Sequence, residues 1–427
     1  MRRKVWVAVV AGILAVAGCT GGEQGTSAPP GGGGAGGSPT ASGPSGSYDP
    51  STASGTVKLF GWQASPEEKE ILEALIADFE TAFPNLTVDY QTSEQYATAM
   101  TANFTAGEPP DLFYVDSAAA PEWIEEDVLL DLEPLAAERG FDTSQFFPGY
   151  LDAFRGPEGG IYGFPKDGNT LGMAYNVDML DAAGIEPPTN WEELQAAAEA
   201  LTTGDQKAFC LNNGLDRALA FMYQNGGGIL NEAKTEGIVD SAENRAALEM
   251  YLGWFANEQG ARAADFGDDW CGKSLGEERV AIIFEGGWLD PYMASNYADV
   301  EYAWAPMPQG TQQATLGFTV SYSIGVDSAN QDGAWVLLTY LTGPEGMTTW
   351  TEGGVANPSR MDVPAAEGKE ILVEGADYAR PWSFIPGFSA VSDAFGNAMT
   401  AQIEAKSNDP GPVIEATNSA LEDALGG

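Results

Sequence analysis

The 427-residue chain contains no histidine, the side chain that most often serves as a general base or metal ligand near neutral pH. Catalytic triads that depend on histidine are therefore excluded. Three cysteines cannot build a structural zinc site with the usual ligand spacing. The sequence accordingly predicts no metal site, no cofactor and no enzyme activity.

Basic residues are also scarce. The chain has 19 Lys and Arg against 62 Asp and Glu, a formal charge of -43, and three of the basic residues are Arg2, Arg3 and Lys4. A surface that follows the phosphates of a nucleic acid needs many more cations, so no nucleic-acid partner is expected. The acidic balance mainly indicates a soluble, well-hydrated surface.

The N-terminus has the form of an export signal. A basic start is followed by an apolar run of about 14 residues, shorter than the roughly 20 that cross a membrane. Residues 1–18 are therefore predicted to be a signal peptide.

The sequence Val-Ala-Gly-Cys at 16–19 resembles the lipobox of bacterial lipoproteins, so Cys19 is predicted to carry a lipid such as palmitate. An ordinary secretion signal with an incidental cysteine is the alternative.

Residues 19–55 are predicted to be a flexible linker. They consist mostly of Gly, Ser, Pro, Thr and Ala, with almost no large apolar side chain to bury. A flexible chain of about 35 residues has an r.m.s. span of roughly 30 to 35 Å. Such a linker would hold a lipid-anchored domain near the outer face of the cell membrane.

The other two cysteines, Cys210 and Cys271, are expected to form a disulfide if the protein is exported. Closing a loop of that length stabilises the fold by about 4 kcal/mol in the chain-entropy model. Two separate buried thiols are the alternative.

From residue 56 onward the pattern predicts an α/β fold. TVKLFGW, LTVDYQT and DLFYVDS have the character of strands and alternate with segments of helical periodicity. Further strands are predicted in RVAIIFEGGW, VEYAWAPMP and TLGFTVSYSIGV. A later helix begins at a predicted capping signal formed by Thr189 and Glu192. The length is sufficient for two domains.

Four ordered stretches resemble the bacterial extracellular solute-binding proteins of the maltose- and oligosaccharide-binding type. They are VKLFGW through FPNLTVDY, the segment AGEPPDLFYVDSAAAPEWIEEDVLLDLEPL, the segment GIYGFPKDGNTLGMAYNVDMLDAAGIEPPTNWEELQAAAEAL, and the region from ERVAIIFEGGW to LTGPEGMTTW. No single motif is diagnostic, but the ordered set spans nearly all of the chain after residue 55.

The resemblance implies a two-lobed periplasmic-binding-protein-like fold with a hinged cleft between the lobes. It also implies a monomer that binds a carbohydrate and delivers it to the permease subunits of an ABC importer. Hinges are expected near residues 164–169, 304–307 and 342–345. Lobe 1 would then contain residues 56–165 and 305–342, and lobe 2 residues 166–304 and 343–427.

A sugar has an apolar face and a rim of hydroxyl groups, so its site combines flat aromatic side chains with fixed polar groups. In α/β sheets such groups lie at the carboxyl ends of strands. These criteria and the resemblance select ten ligand-binding candidates. They are Trp62, Gln63, Asp116, Ser117, Asp167, Glu285, Trp288, Gly317, Phe318 and Trp382.

The resemblance carries over most directly to Trp288, because a Gly-x-Trp turn after a buried strand often supplies a stacking tryptophan in this family. Trp254 and Trp335 lie on apolar helical stripes and are predicted to be core residues instead.

Strand ends with mostly Trp, Asp and Gly offer no basic clamp for an anion, so a neutral mono- or oligosaccharide is the predicted ligand. A cationic ligand held by aromatic rings and carboxylates is the alternative.

Two other functions compete with solute binding. A secreted glycoside hydrolase needs only a pair of carboxylates, but no such pair is marked in the sequence. A lipoprotein that binds a protein or a cell-wall polymer without transport is the third possibility, and no exposed motif favours it.

Overall fold

The structure, a computed structural model, describes residues 48–62, 66–352 and 356–426. The predicted signal peptide, Cys19, most of the predicted linker and Gln63 lie outside these residues. Within them, no helix combines the length and the apolar character that a membrane span requires.

Eleven strands occur in the described part of the chain. They are β1 (Gly55–Gly61), β2 (Leu86–Thr92), β3 (Leu112–Asp116), β4 (Phe164–Thr170), β5 (Gly172–Asn176), β6 (Lys207–Cys210), β7 (Gly260–Ala261), β8 (Val280–Glu285), β9 (Tyr302–Ala305), β10 (Thr315–Ile324) and β11 (Ala379–Pro381).

Sixteen α-helices accompany these strands in the same residues. They are α1 (Pro66–Ala82), α2 (Tyr96–Ala106), α3 (Ala120–Glu125), α4 (Glu133–Arg139), α5 (Pro148–Leu151), α6 (Val177–Ala183), α7 (Trp191–Leu201), α8 (Leu215–Gln224), α9 (Ala242–Ala256), α10 (Cys271–Gly276), α11 (Leu289–Asn296), α12 (Gln331–Leu341), α13 (Pro344–Thr351), α14 (Glu370–Glu374), α15 (Phe388–Glu404) and α16 (Gly411–Gly426).

The strands form two separate sheets, as a two-lobed fold requires. In the first sheet β1 lies between β2 and β3 and runs parallel to both, while β10 runs antiparallel to β3 on one side and to β4 on the other. The second sheet has the order β7-β6-β8-β5-β9, with β6 parallel to β8. The chain passes between the two sheets at Leu171, between β4 and β5.

The apolar strands predicted from the sequence lie in the centres of these sheets. Leu112 to Val115 of β3 and all residues of β8 are buried, because helices cover both faces of each sheet. The first sheet packs against α1, α12 and α13 on one face and α2 and α3 on the other. Trp254 and Trp335 are 0% and 1% exposed, which confirms both as core residues.

The capping prediction for α7 is wrong by one residue. Asn190, not Thr189, accepts the N-terminal hydrogen bond, from Glu193 N to Asn190 Oδ1 at 3.0 Å. The Glu193 carboxylate in turn accepts hydrogen bonds from the backbone and hydroxyl of Thr189, at 2.8 and 2.7 Å. Two adjacent polar residues, Thr189 and Asn190, could each serve as the cap, and the backbone of Asn190 has the extended conformation that a cap needs.

The chain after α12 stays with the first sheet for longer than the sequence suggests. Met347, Trp350, Ala356 and Val363 pack in the same core as the first sheet. Among the residues after α12, the side chains that pack against the core of the second sheet begin at Trp382. These contacts favour a third crossing after β11, later than residues 342–345.

The first described residues dock at the start of β1. The Arg139 guanidinium lies over the ring of Tyr48 at 4.5 Å and over Trp335 at 5.6 Å, and it pairs with Asp332 at 2.6 Å. Asn330 Nδ2 donates to the carbonyls of Ser54 and Thr56, both at 3.2 Å. Tyr48 and the start of β1 are therefore fixed at the edge of the first sheet where β1 begins.

The disulfide predicted between Cys210 and Cys271 is confirmed, with an S–S distance of 2.06 Å. It joins the end of β6 to the start of α10 and closes 61 residues of chain. Both cysteines are buried against Leu275 and Ile283. The bond therefore lies inside the second lobe and does not join the lobes.

Replacing both cysteines, in a Cys210→Ala/Cys271→Ala variant, is expected to lower the free energy of unfolding by about 4 kcal/mol, the value for a loop of this size. Denaturant titrations would measure the change. Reductant should destabilise the wild-type protein by a similar amount and leave the variant unaffected. If reductant, added so that it also acts on the unfolded chain, left the free energy of unfolding of the wild-type protein unchanged, the disulfide would be contradicted.

Candidate ligand-binding site

Four predicted residues lie along the edge of the first sheet where β1 and β3 end. Trp62 directly follows β1, Asp116 is the last residue of β3, and Ser117 follows it. Asp116 and Asp167 both pair in register with Val320 of β10, on its two opposite sides. At the usual strand spacing their Cα atoms are about 10 Å apart.

Trp62 is held by two tyrosines. Its ring meets Tyr96 edge-on at 5.0 Å and Tyr114 edge-on at 5.1 Å, and it remains partly exposed. The Tyr96 hydroxyl donates to the Tyr114 carbonyl. The strand therefore presents a flat aromatic surface in a fixed orientation.

Asp116 is an exposed residue at the end of β3. Its Oδ1 accepts a hydrogen bond from Ala118 N at 2.8 Å. Loss of hydration to the surrounding protein raises the pKa of Asp116, and the Ala118 bond offsets this only in part. An accessible carboxylate with this perturbation is a typical feature of a binding site.

Asp167 belongs to a compact charged group that the sequence did not predict in full. Its Oδ2 accepts hydrogen bonds from Lys166 Nζ and, at 3.1 Å, from Trp350 Nε1. Lys166 is 5% exposed and lies 4.3 Å from the centre of the Trp350 ring. Burial raises the pKa of Glu68 nearby, with the charge of Lys166 opposing that effect. Lys166 is therefore already neutralised by the protein.

Glu285 and Trp288 meet at the end of β8. Trp288 Nε1 donates to Glu285 Oε2 at 2.9 Å. A Cβ atom on Gly286 would lie 2.5 Å from the Trp288 ring, so glycine is needed for the indole to lie against this turn. The Gly-Gly-Trp turn thus fixes the indole beside the carboxylate.

Trp288, Phe318 and Trp382 form what we term the aromatic cluster. The Phe318 ring is 5.8 Å from Trp288 and 6.0 Å from Trp382, and all three side chains are partly exposed. Trp382 N donates to the carbonyl of Gly317 at 2.8 Å, which ties the last member to β10. The structure therefore brings together these residues from three distant parts of the sequence.

The two groups of predicted residues are neighbours on β10. Phe318 lies two residues from Val320, which is the partner of both Asp116 and Asp167. Side chains two apart on a strand project from the same face, roughly 7 Å from each other. Six of the ten predicted residues therefore lie on β10, on a strand paired with it or directly after such a strand: Asp116, Ser117, Asp167, Gly317, Phe318 and Trp382. Trp62 follows β1, one strand further along the sheet, and Glu285 and Trp288 lie at the end of β8 in the second sheet. Gln63 is not described.

Arg217 is a site residue that the sequence reasoning missed. It lies near the start of α8, and its Nη2 donates to Glu285 Oε2 at 2.7 Å. Burial by itself lowers the pKa of Arg217, but the carboxylates of Glu285 and Asp216 outweigh it and the pKa is raised. The expectation that no basic residue reaches the strand ends is therefore wrong. The available signal was its position in the chain: β6 ends at Cys210, and Gly214 is the N-cap of the helix that carries Arg217.

Asn169 joins the two halves of the site through the backbone of the Gly-Gly-Trp turn. Its Oδ1 accepts hydrogen bonds from Gly287 N at 3.3 Å and from Asn357 Nδ2 at 3.1 Å. Asn169 is on β4, next to the crossing at Leu171, so this bond spans the point where the sheets separate.

Enclosed volume does not identify this site. A cavity of 660 Å³ lies beside Pro188, Met307 and Tyr378, and another of 610 Å³ lies beside Arg245 and Glu415. Neither contains a predicted binding residue. No cluster of acidic or cysteine side chains suited to a metal ion occurs in residues 48–62, 66–352 and 356–426.

The fold is that of two-lobed solute-binding proteins. The sugar-binding protein MalE from Xanthomonas citri matches with a TM-score of 0.76 and 20% identity, over 87% of this chain and 98% of that one. The cyclic alpha-maltosyl-1,6-maltose binding protein from Arthrobacter globiformis also matches with a TM-score of 0.76, at 18% identity, over 87% and 99% of the two chains.

The sequence defines the family. The model for bacterial extracellular solute-binding proteins matches residues 63–348, which is more than half of the chain. The chain belongs to this family. A putative binding protein of Brucella abortus is 24% identical over 371 residues, which cover 81% of this chain and 86% of that protein.

Asp116→Asn is expected to leave the melting temperature at neutral pH unchanged or higher. Because the pKa of Asp116 is raised in the folded protein, its charged form disfavours folding at neutral pH, and this effect disappears as the pH falls below the ordinary value of about 3.9. Asparagine keeps the acceptor for Ala118 N without the charge. Melting curves at neutral and acidic pH would measure the difference.

Asp111, at the other end of the same strand, provides the matched control. It is 4% exposed and accepts hydrogen bonds from Lys58 N, Ser328 Oγ and Asn330 N, at 2.9, 2.7 and 3.1 Å. Asp111→Asn should lower the free energy of unfolding by about 1 to 3 kcal/mol. An equal loss in Asp116→Asn would mean that Asp116 is a structural residue.

Proposed function

We propose that this protein is an extracytoplasmic lipoprotein that binds a neutral mono- or oligosaccharide between its lobes and delivers it to the permease subunits of an ABC importer. The protein acts as a monomer and carries out no chemistry. The observation that carries the proposal is the aromatic cluster beside Glu285, because flat rings next to a fixed carboxylate suit the apolar face and hydroxyl rim of a sugar.

The charges of the site support a neutral ligand. Arg217 is paired with Glu285 and Asp216, at 2.7 and 2.6 Å, and Lys166 is paired with Asp167. Asp116 adds a further negative charge. An anionic ligand would have to separate Arg217 or Lys166 from its carboxylate, and a cationic ligand would compete with Lys166 and Arg217 for the rings that they already contact.

The ligands of the structural relatives agree with this class. The Xanthomonas citri protein is described as sugar-binding, and the Arthrobacter globiformis protein as binding cyclic alpha-maltosyl-1,6-maltose. By analogy, the same cleft in this chain would hold a saccharide. A glycoside hydrolase is disfavoured, since the matching family consists of solute-binding proteins.

The sheets suggest where the lobes divide. We place the crossings at Leu171, between β9 and β10, and after β11. Lobe 1 would then comprise β1 to β4, β10 and the chain to β11, and lobe 2 the rest. Closure by rotation about these crossings would bring the Trp62 side of the cleft toward Trp288.

A screen of saccharides by thermal shift and calorimetry tests the binding function. At least one neutral saccharide should raise the melting temperature, and Trp288→Ala should weaken its binding by roughly tenfold or more because a stacking surface is lost. The matched control is Trp270→Ala, since Trp270 packs against Tyr292 on the other face of the second sheet. No response to any saccharide, with a response to peptides or polyamines, would reject the ligand class.

Anchoring is tested separately. Cys19→Ala should release the protein from the membrane fraction and abolish labelling with radioactive palmitate, because the thiol is the proposed attachment point. The Cys210→Ala/Cys271→Ala variant is the control and should remain membrane-bound. Retention of the Cys19→Ala protein would contradict the lipid anchor but would leave the binding function untouched.

A further inference from the structure

Arg217 is fixed on three sides by the protein. Its Nε donates to the Phe284 carbonyl at 3.1 Å, its Nη1 to Asp216 Oδ2 at 2.6 Å, and its Nη2 to Glu285 Oε2 at 2.7 Å. Nη1 also reaches the Asp216 carbonyl at 3.2 Å. Four of its five N–H groups therefore have acceptors among the described residues, and its side chain is only 12% exposed.

Glu285 uses one carboxylate oxygen for these contacts. Oε2 accepts from both Arg217 Nη2 and Trp288 Nε1, at 2.7 and 2.9 Å. In the described part of the chain, Oε1 has no protein donor within hydrogen-bonding distance. A carboxylate oxygen can accept two hydrogen bonds, so Oε2 is saturated and Oε1 is available.

The same guanidinium supports the indole. Arg217 lies 5.6 Å from the centre of the Trp288 ring, and both groups meet at Glu285 Oε2. The direction of the free oxygen and the plane of the ring are therefore set together, by one cation held at the end of β8. This arrangement places a hydroxyl acceptor beside a stacking surface.

We propose that Arg217 is a positioning residue for saccharide binding, which orients Glu285 so that Oε1 accepts a sugar hydroxyl while Trp288 stacks against the same sugar ring. This inference rests on the proposed saccharide-binding function. Arg217 acts through Glu285 and does not contact the sugar. A merely structural arginine would lower stability when removed but would not change how binding depends on Glu285.

The test is a double-mutant cycle of Arg217→Gln, Glu285→Gln and the combined variant. Maltose, mannotriose and tagatose are the probes, and the tightest of the three is titrated by calorimetry at neutral pH. Arg245→Gln is the matched control, because it removes an exposed Arg–Asp pair from the same lobe. Each affinity is expressed relative to wild type.

Arg217→Gln is expected to weaken binding by at least about tenfold. Glu285→Gln should also weaken binding. The combined variant should bind no worse than Glu285→Gln, because Arg217 acts through that carboxylate. Arg217→Lys, which keeps the charge but not the three-sided contact, should recover part of the affinity.

Losses that multiply in the combined variant would mean that Arg217 contacts the sugar itself and would overturn the inference. Equal binding by Arg217→Gln and Arg245→Gln would also overturn it. If Arg217→Gln does not fold, Arg217→Lys replaces it in the cycle with the same criteria. If none of the three saccharides binds, the tightest saccharide from the thermal-shift screen replaces them. A screen in which no saccharide binds the wild-type protein rejects the proposed function instead, so the two failures are distinguishable.

Discussion

The backbone hydrogen bonds of β10 hold the candidate site together. This strand pairs with β3 on one side and β4 on the other, and it receives β11 at its start. Asp116, Asp167, Phe318 and Trp382 all take their positions from these pairings. Because sheet register sets which side chains face each other, a slip of one residue in β10 would turn Phe318 away and separate the carboxylates from the aromatic cluster.

A second constraint is that charges near the cleft are neutralised inside the protein. Arg217 and Lys166 are each nearly buried and each has a carboxylate partner. Pairing makes their burial tolerable, and it also fixes the orientation of Glu285 and Asp167. In a chain with so large an excess of acidic residues, these two cations fix the shape of the site and have little effect on the net charge of the site.

Much of the fold follows from local patterns in the sequence. β2 begins and ends where the alternation in LTVDYQT predicts, and the Gly-Gly-Trp turn was recognisable after its buried strand. The strand-end rule, which depends only on chain direction within a sheet, selected Trp62, Asp116, Ser117, Glu285 and Trp288, and the family resemblance added Asp167, Gly317, Phe318 and Trp382. The disulfide followed from export and cysteine number.

The features that the sequence did not predict depend on the order of strands. Arg217 reaches Glu285 because β6 lies beside β8, which places the start of α8 next to the end of β8. That neighbour relation is invisible in a single sequence. Trp350 was likewise missed, because its helix packs on the first lobe and local periodicity does not say which of two cores a helix joins.

The docking of Tyr48 under Arg139 has a mechanical consequence. β1 carries the chain from this point to Trp62, about 20 Å away at the other end of the strand. With the proposed lipid at Cys19, any tension from the membrane would enter lobe 1 at the edge farthest from the cleft. The force would be carried by the Tyr48 stack and the first sheet, and the crossings between the lobes would remain unloaded. Lobe 2 could then rotate freely while lobe 1 is tethered.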